Sequence, residues 1–323
     1  MTAPQIFVSV ASYADSDVGP TLRDALGQAH RPERLRFGVV SQEDPADPDY
    51  LADFVEHPGV RILRMPHTAA RGPMFARHRC LDLLEGEPYF FQIDSHSRFF
   101  PGWDQHLVEM HRECPEPRSI LSAFPPAISH MTRPEKLKYI GHCGFLRELS
   151  PDRVKIGSVS VRLPPVPRPA FSISAANLFG PSSFVREVPI DPHMPYGLQH
   201  PEQLTYAVRL YTHGWDLFTP SRHTVATAYT KTRRARPYNV DHPDANRLRK
   251  RSWHRAQYLL GLGSLADVHP EQQVELGRYG MGRARTVSDY FRALGAPNLD
   301  TVRAALADGL AWDRKEKTWR PHP

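Results

Sequence analysis

Apolar positions in the first third of the chain switch between two periods. Ile6–Ala11 is a β-rich apolar run, and Pro20–Ala29 carries Leu22, Ala25, Leu26 and Ala29 at helical spacing. Leu35–Val40 and Val60–Met65 read as short strands. Pro73–Leu84 reads as a helix bearing Met74, Phe75, Leu81 and Leu84, and Tyr89–Ile93 as another buried strand. Strands alternating with helices predict an α/β, Rossmann-like fold with a mostly parallel central sheet. Ligands of such sheets bind beyond the carboxyl ends of the strands, which directs attention to the residues just after Ala11, Val40, Met65 and Ile93.

Further along, Ser119–Ala123 reads as a strand. Val154, Ile156, Val159, Val161 and Leu163 then alternate imperfectly within a proline-punctuated stretch, which predicts an inserted hairpin. Phe171–Phe179 returns to the sheet, and Glu202–Thr212 is a helix with Leu204, Ala207, Val208 and Tyr211 on one face. Beyond about residue 236 the pattern turns helical, over Asp244–Gly261 and Glu271–Leu294. The expected organisation is one α/β domain over 1–236, with a loop insertion around 124–170, and a helical appendage over 237–323.

Composition adds little to fold class and something to partners. The 323 residues are 40% hydrophobic and 24% charged, ordinary globular usage that argues against disordered and fibrous classes. The 32 prolines imply long rigid loops in mid-chain, where α/β scaffolds tend to build sites. A net charge of +6 suits an anionic partner, whether nucleotide, phosphate-bearing substrate, nucleic acid or membrane surface. The 3 cysteines, Cys80, Cys114 and Cys143, lack CxxC spacing and suggest neither a disulfide framework nor a thiolate metal site. Without a signal-like start or an apolar run of the roughly 20 residues a membrane span needs, the chain reads as soluble and cytoplasmic.

The sharpest chemical feature is Gln92-Ile93-Asp94-Ser95-His96, where an apolar strand ends in a carboxylate and an imidazole two residues apart. In extended backbone both project to one side, so Asp94 and His96 can share a divalent cation through oxygen and nitrogen. Such a cation would act as a Lewis acid on a departing diphosphate. The plain reading stands beside it: Asp94 as the cap of a turn and His96 as one of 17 histidines in a loop. Ala70-Arg71-Gly72-Pro73, with Arg77 one turn into the helix, forms a candidate phosphate site. The run Lys231, Arg233, Arg234 and Arg236 is a second, and equally a solvated charged face. Trp103 and Trp215 read as core, and Ser172–Asn177 as either room for a sugar or close sheet packing.

Read together, these elements resemble the cytoplasmic N-acetylglucosaminyltransferases that modify hydroxyproline on a ubiquitin-ligase adaptor and, more distantly, the polypeptide N-acetylgalactosaminyltransferases. The likeness runs through Ile6–Tyr13, Ala70–Pro73, Gln92–Phe99, Gly102–Asp104 and Ala207–Asp216, and reaches Gly280–Gly282 and Arg285-Thr286. It implies a GT-A fold, a UDP-sugar donor, a Mn²⁺ or Mg²⁺ ion, and transfer with retention of anomeric configuration to the hydroxyl of a small molecule or protein. It assigns Asp94 and His96 to the metal, Ser95 to the donor ribose or sugar, Ala11, Ser12 and Tyr13 to the uridine, and Arg71 and Gly72 to the donor. Glu202 matches a carboxylate that touches sugar or acceptor, with helix-start carboxylate as its plain reading.

Two departures accompany the likeness. The third metal ligand of the related enzymes, a histidine, aligns near Thr227 or Ala228, and His223 is the nearest substitute. Gly197-Leu198-Gln199-His200-Pro201 lacks the expected glycine and aromatic pattern, which leaves sugar and acceptor open. Glycosyl transfer is the leading expectation, with Asp94 and Glu202 as the catalytic candidates and no nucleic-acid or membrane partner. Nucleotidyl transfer lacks its glycine-rich phosphate loop after Ala11. A basic nucleic-acid-binding or non-catalytic nucleotide-binding protein is the alternative, and it leaves the placing of Asp94 and His96 unexplained.

Overall fold

The computed structural model describes residues 5–150, 154–194, 200–229, 241–294, 299–313, 316 and 318–321. The basic run at 231–236, the expected boundary at 236/237 and the segment 197–199 lie outside the described residues. The strands are β1 (Ile6–Tyr13), β2 (Leu35–Glu43), β3 (Val60–Pro66), β4 (Tyr89–Asp94), β5 (Ser97–Phe99), β6 (Ser119–Ser122), β7 (Tyr139–Leu149), β8 (Val154–Arg162), β9 (Arg168–Ala170), β10 (Asn177–Pro181), β11 (Asp216–Thr219), β12 (Val225–Thr227), β13 (Leu310–Asp313) and β14 (Thr318–Pro321). The helices are α1 (Val18–Gln28), α2 (Pro73–Cys80), α3 (Trp103–Arg112), α4 (Pro134–Leu137), α5 (Ser183–Glu187), α6 (His200–Thr212), α7 (Ala245–Leu259), α8 (Val287–Ala293) and α9 (Leu299–Ala307).

Eight strands form the central sheet in the order β3-β2-β1-β4-β10-β6-β11-β9. Its pairings β1–β2, β2–β3, β1–β4 and β6–β11 are parallel, as expected, while β10 runs antiparallel between β4 and β6 and β9 closes one edge. Alternate residues of each strand face opposite layers. Phe7 and Phe90 join the core under α5, α6 and the C-terminal helices, whereas Val8 and Phe91 join the core under α1 and α3. Both tryptophans are core: Trp103 is wholly buried with Nε1 donating to Ala25 O at 2.9 Å, and Trp215 is buried under the Arg118 guanidinium.

The C-terminal helices complete the first of these cores, through Trp253, Ala256, Leu259, Tyr290, Phe291 and Val302. Thr212 at the end of α6 is the anchor: its hydroxyl accepts from Gly282 N at 2.9 Å and its carbonyl from Ala284 N at 2.9 Å. Gly282 must lack a side chain, since a Cβ there would collide with the Thr212 carbonyl. This docking corrects the continuous helix expected over Glu271–Leu294. Apart from a 3₁₀ turn at Pro270–Gln272, only α8 is helical there among the described residues, and the stretch containing Gly277, Gly280 and Gly282 is laid irregularly against α6. The helix expected over Pro73–Leu84 likewise ends at Cys80 and continues as a 3₁₀ turn. The expected hairpin is present as β7 and β8, and a small β13–β14 hairpin accompanies the C-terminal helices. Among the described residues no helix is long and apolar enough to cross a membrane.

Candidate active site

β4 occupies the centre of the sheet and ends at Asp94, in register with Ala11 of β1. Ala11, Ser12 and Tyr13 therefore lie along the same carboxyl edge. The chain then turns through Ser95 and His96 into β5, a turn held by Thr21 of α1, whose hydroxyl donates to Ser95 O at 2.8 Å and accepts from Ser97 N at 2.9 Å. That clamp sets Asp94 and His96 side by side, with Asp94 Oδ2 3.7 Å from His96 Nε2. Two bonds of about 2.1 Å to one divalent cation bridge up to about 4 Å, so this gap suits a shared ion.

His96 is oriented by a residue that sequence reasoning overlooked. Asp15, buried beyond the end of β1, takes the His96 Nδ1 proton at 2.8 Å through Oδ2 and accepts from Ser95 Oγ at 2.6 Å and from Asp17 N at 3.0 Å. Burial by itself would raise the Asp15 pKa, but the hydrogen bonds from His96 and Ser95 outweigh it and hold the carboxyl below its usual value. An ionised Asp15 fixes the tautomer in which Nε2 carries a lone pair toward Asp94. Its position two residues after Tyr13, at a strand's carboxyl end, was the available signal.

Beneath this edge, Arg77 of α2 and Glu202 of α6 form a buried pair at 2.5 Å, and Arg77 Nη2 also lies 3.7 Å from Asp94 Oδ1. Burial raises the Glu202 pKa, with the Asp94 charge adding to it and Arg77 opposing both. Among the described residues the second oxygen of Glu202 has no hydrogen-bond partner, and neither do the side-chain carbonyl oxygens of Gln92 and Gln203. These groups line a narrow cleft of about 10 Å³ with Met74, Ile173 and Ala175. Ala175 accepts from Gln92 Nε2 at 2.7 Å, so the small-residue stretch both packs against β4 and borders the cleft.

The remaining candidates divide. Ser12 and Ser95 are buried at the edge, and Tyr13 donates to Asp241 at 2.6 Å. Gly72 holds φ at 89° and admits the chain into α2, whereas Arg71 is exposed and covers Phe75. His223 is not brought to the Asp94 edge: its Nε2 donates to Leu137 O at 3.2 Å and its ring stacks on Phe100. Antiparallel pairing of β12 with β5 puts Thr227 opposite Ser97, and it is the Thr227 hydroxyl that donates to Asp94 Oδ2 at 3.3 Å. Among the described residues no three His, Cys, Asp or Glu side chains gather as metal ligands. Asp15 is no third ligand, because it faces the other imidazole nitrogen.

The whole arrangement, a partly antiparallel α/β sheet with its polar edge at β1 and β4, is the GT-A fold of glycosyltransferases. The chain belongs to the family described as Glycosyltransferase (GlcNAc), whose profile matches residues 5–56 and 51–299. Among solved structures it is similar to GalNAc-T7, determined with UDP, GalNAc and Mn²⁺, at 12% identity and a TM-score of 0.59, covering 94% of this chain and 57% of that one. The chain thus spans little more than half of that protein's length. The structure of S. aureus TarS 1-349 also matches, at 12% identity and a TM-score of 0.48, covering 94% of this chain and 86% of that one. No curated protein matches the chain.

Proposed function

We propose that the enzyme transfers a sugar, N-acetylglucosamine by its family's description, from a UDP-sugar to an acceptor hydroxyl with retention and with the help of a divalent cation. The observation that carries this reading is the convergence of Asp94 and His96, 3.7 Å apart, with His96 fixed from behind by Asp15. Mn²⁺ in the similar GalNAc-T7 structure supports it. The oxygen–nitrogen donor pair fits Mn²⁺ or Mg²⁺, which when bound supplies positive charge against the diphosphate as negative charge grows on it.

The protein's own groups do the rest. Ala11, Ser12, Tyr13 and Ser95 border the nucleotide at the sheet edge. Arg77 adds a fixed cation beside Asp94, and the unpartnered oxygen of Glu202 accepts a hydroxyl of the sugar or acceptor. The acceptor oxygen forms its bond to the anomeric carbon as the bond from that carbon to the diphosphate oxygen breaks. The electron pair stays on the diphosphate, and the acceptor's proton passes to the same departing oxygen, on the same face of the sugar. Glu202 therefore positions and need not remove a proton.

Calorimetric titration of UDP with and without Mn²⁺, on the chain and on Asp94→Ala, tests this. Tight binding only with Mn²⁺, and loss of that dependence in Asp94→Ala, is expected. UDP binding of equal strength without metal removes the metal from the reading, and no UDP binding in either condition removes the donor.

A further inference from the structure

A second, larger cleft opens beside the Asp94 edge, with a volume of about 490 Å³. That lies within the range of small-molecule sites. Its walls come from the segment 124–127, α4, the start of β7, β8 and the chain on either side of β12. It is tied directly to the site already described. Thr227, which donates to Asp94, also donates its backbone N–H to Pro126 O at 3.0 Å, and Tyr229 donates its hydroxyl to Pro125 O at 2.7 Å. The cleft is thus lined by His223 and Tyr229, the residues that flank the strand whose Thr227 touches Asp94.

The lining has a definite chemistry. Tyr139 and Tyr229, at 50% and 58% exposed, are the two exposed aromatic side chains among the described residues, and both border the cleft. The hydrogen bond to Pro125 tethers the hydroxyl end of the Tyr229 side chain at the cleft wall, which reduces the freedom lost on binding. Around these rings stand the hydroxyls of Ser158 and Ser160, with Glu135 and Lys136 supplying one acceptor and one donor of opposite charge. A polyanion would meet the carboxylate, and a purely apolar chain would strand the polar groups. A pyranose matches both: its C–H face lies on an aromatic ring while its hydroxyls reach hydrogen-bonding groups at the rim.

We infer that this cleft binds the acceptor and that the acceptor is an uncharged saccharide, held by stacking on Tyr139 and Tyr229 with one hydroxyl directed toward the Asp94 edge. The inference rests on the donor reading above.

The test is saturation-transfer NMR on the full chain, with cellobiose, lactose and N,N′-diacetylchitobiose as probes and a serine- and proline-containing peptide as the competing class. UDP titration with Mn²⁺ is run on the same samples. Transfer to ring C–H protons of at least one disaccharide is expected. Affinity should fall roughly tenfold, about 1.4 kcal/mol, in Tyr139→Ala and Tyr229→Ala, stay near wild type in Tyr139→Phe, and leave UDP binding unchanged. No transfer to any disaccharide, transfer to the peptide alone, or saccharide binding indifferent to both alanine substitutions overturns the inference while leaving the donor reading standing. Saccharide binding that responds to the tyrosines in a chain that fails to bind UDP supports the cleft and removes the donor reading instead.

Discussion

Two buried arginine–carboxylate pairs in this chain look alike in composition and differ in completeness. Arg255 of α7 grips Asp191 with two nitrogens, at 2.9 and 3.2 Å, and spends a third on the carbonyls of Gln272 and Val274; Asp191 also accepts from His193 N. Neither member of that pair is exposed to any extent. Arg77 and Glu202 share a single close contact, one Glu202 oxygen has no partner among the described residues, and Arg77 turns its other nitrogen toward Asp94. The first pair closes a structure, fastening the C-terminal segment to the sheet domain. The second keeps hydrogen-bonding capacity directed at a cleft. A buried charge that is fully satisfied works for the fold; one that is half satisfied at a strand's carboxyl edge works for a ligand.

The largest effect should come from the closed pair. Arg255→Ala strands the Asp191 carboxylate in a protein interior and should cost about 3–5 kcal/mol in urea unfolding. A loss below about 1 kcal/mol would break the distinction, because Arg255 would then be no better satisfied than Arg77. Next is Asp15→Asn, which keeps the shape but removes the charge that orders His96. It should weaken Mn²⁺-dependent UDP binding by roughly 10- to 100-fold, and lower the unfolding midpoint at neutral pH, where the folded chain favours the ionised carboxyl. Unchanged Mn²⁺ dependence would show that His96 needs no orientation from behind.

The sequence and the structure agree best where the physics is local. The β1–β4 core was legible because an apolar run ending in Asp94 carries its own period and its own boundary; His96 was legible as a neighbour two residues on, although a turn held by Thr21, not extended backbone, sets it beside Asp94. What could not be read was set by distant pairing. Asp15 meets His96 across 81 residues, and Arg77 meets Glu202 across 125. Thr227, and not His223, faces Asp94 because of the register of β12 on β5, a relation that no spacing along the chain encodes. Helix α3 went unread although Trp103, Leu107, Val108 and Met110 mark its buried face. The helix expected over Glu271–Leu294 failed for the complementary reason: the backbone of α6, not local propensity, dictates the path at Gly282.

The smallest effect, and the one that sharpens the comparison furthest, is expected of Glu202→Gln. An incomplete pair gains little from its charge, so this variant should unfold within about 1 kcal/mol of wild type, in contrast to Arg255→Ala, while sugar transfer falls. The pH dependence supplies the sign. Burial raises the Glu202 pKa in the folded chain above its value in the unfolded one, with Asp94 adding to the rise and Arg77 opposing it. Between those two values the folded state holds the extra proton, so wild-type stability should decline as pH rises through the window that starts at the ordinary glutamate range. Glu202→Gln cannot release that proton, and the difference in unfolding free energy between the two proteins should drift in favour of the variant as pH climbs through that interval, then level off. A difference that instead drifts toward the wild type would mean that Arg77 stabilises the carboxylate more than burial penalises it, and the two pairs would then be the same device in two places.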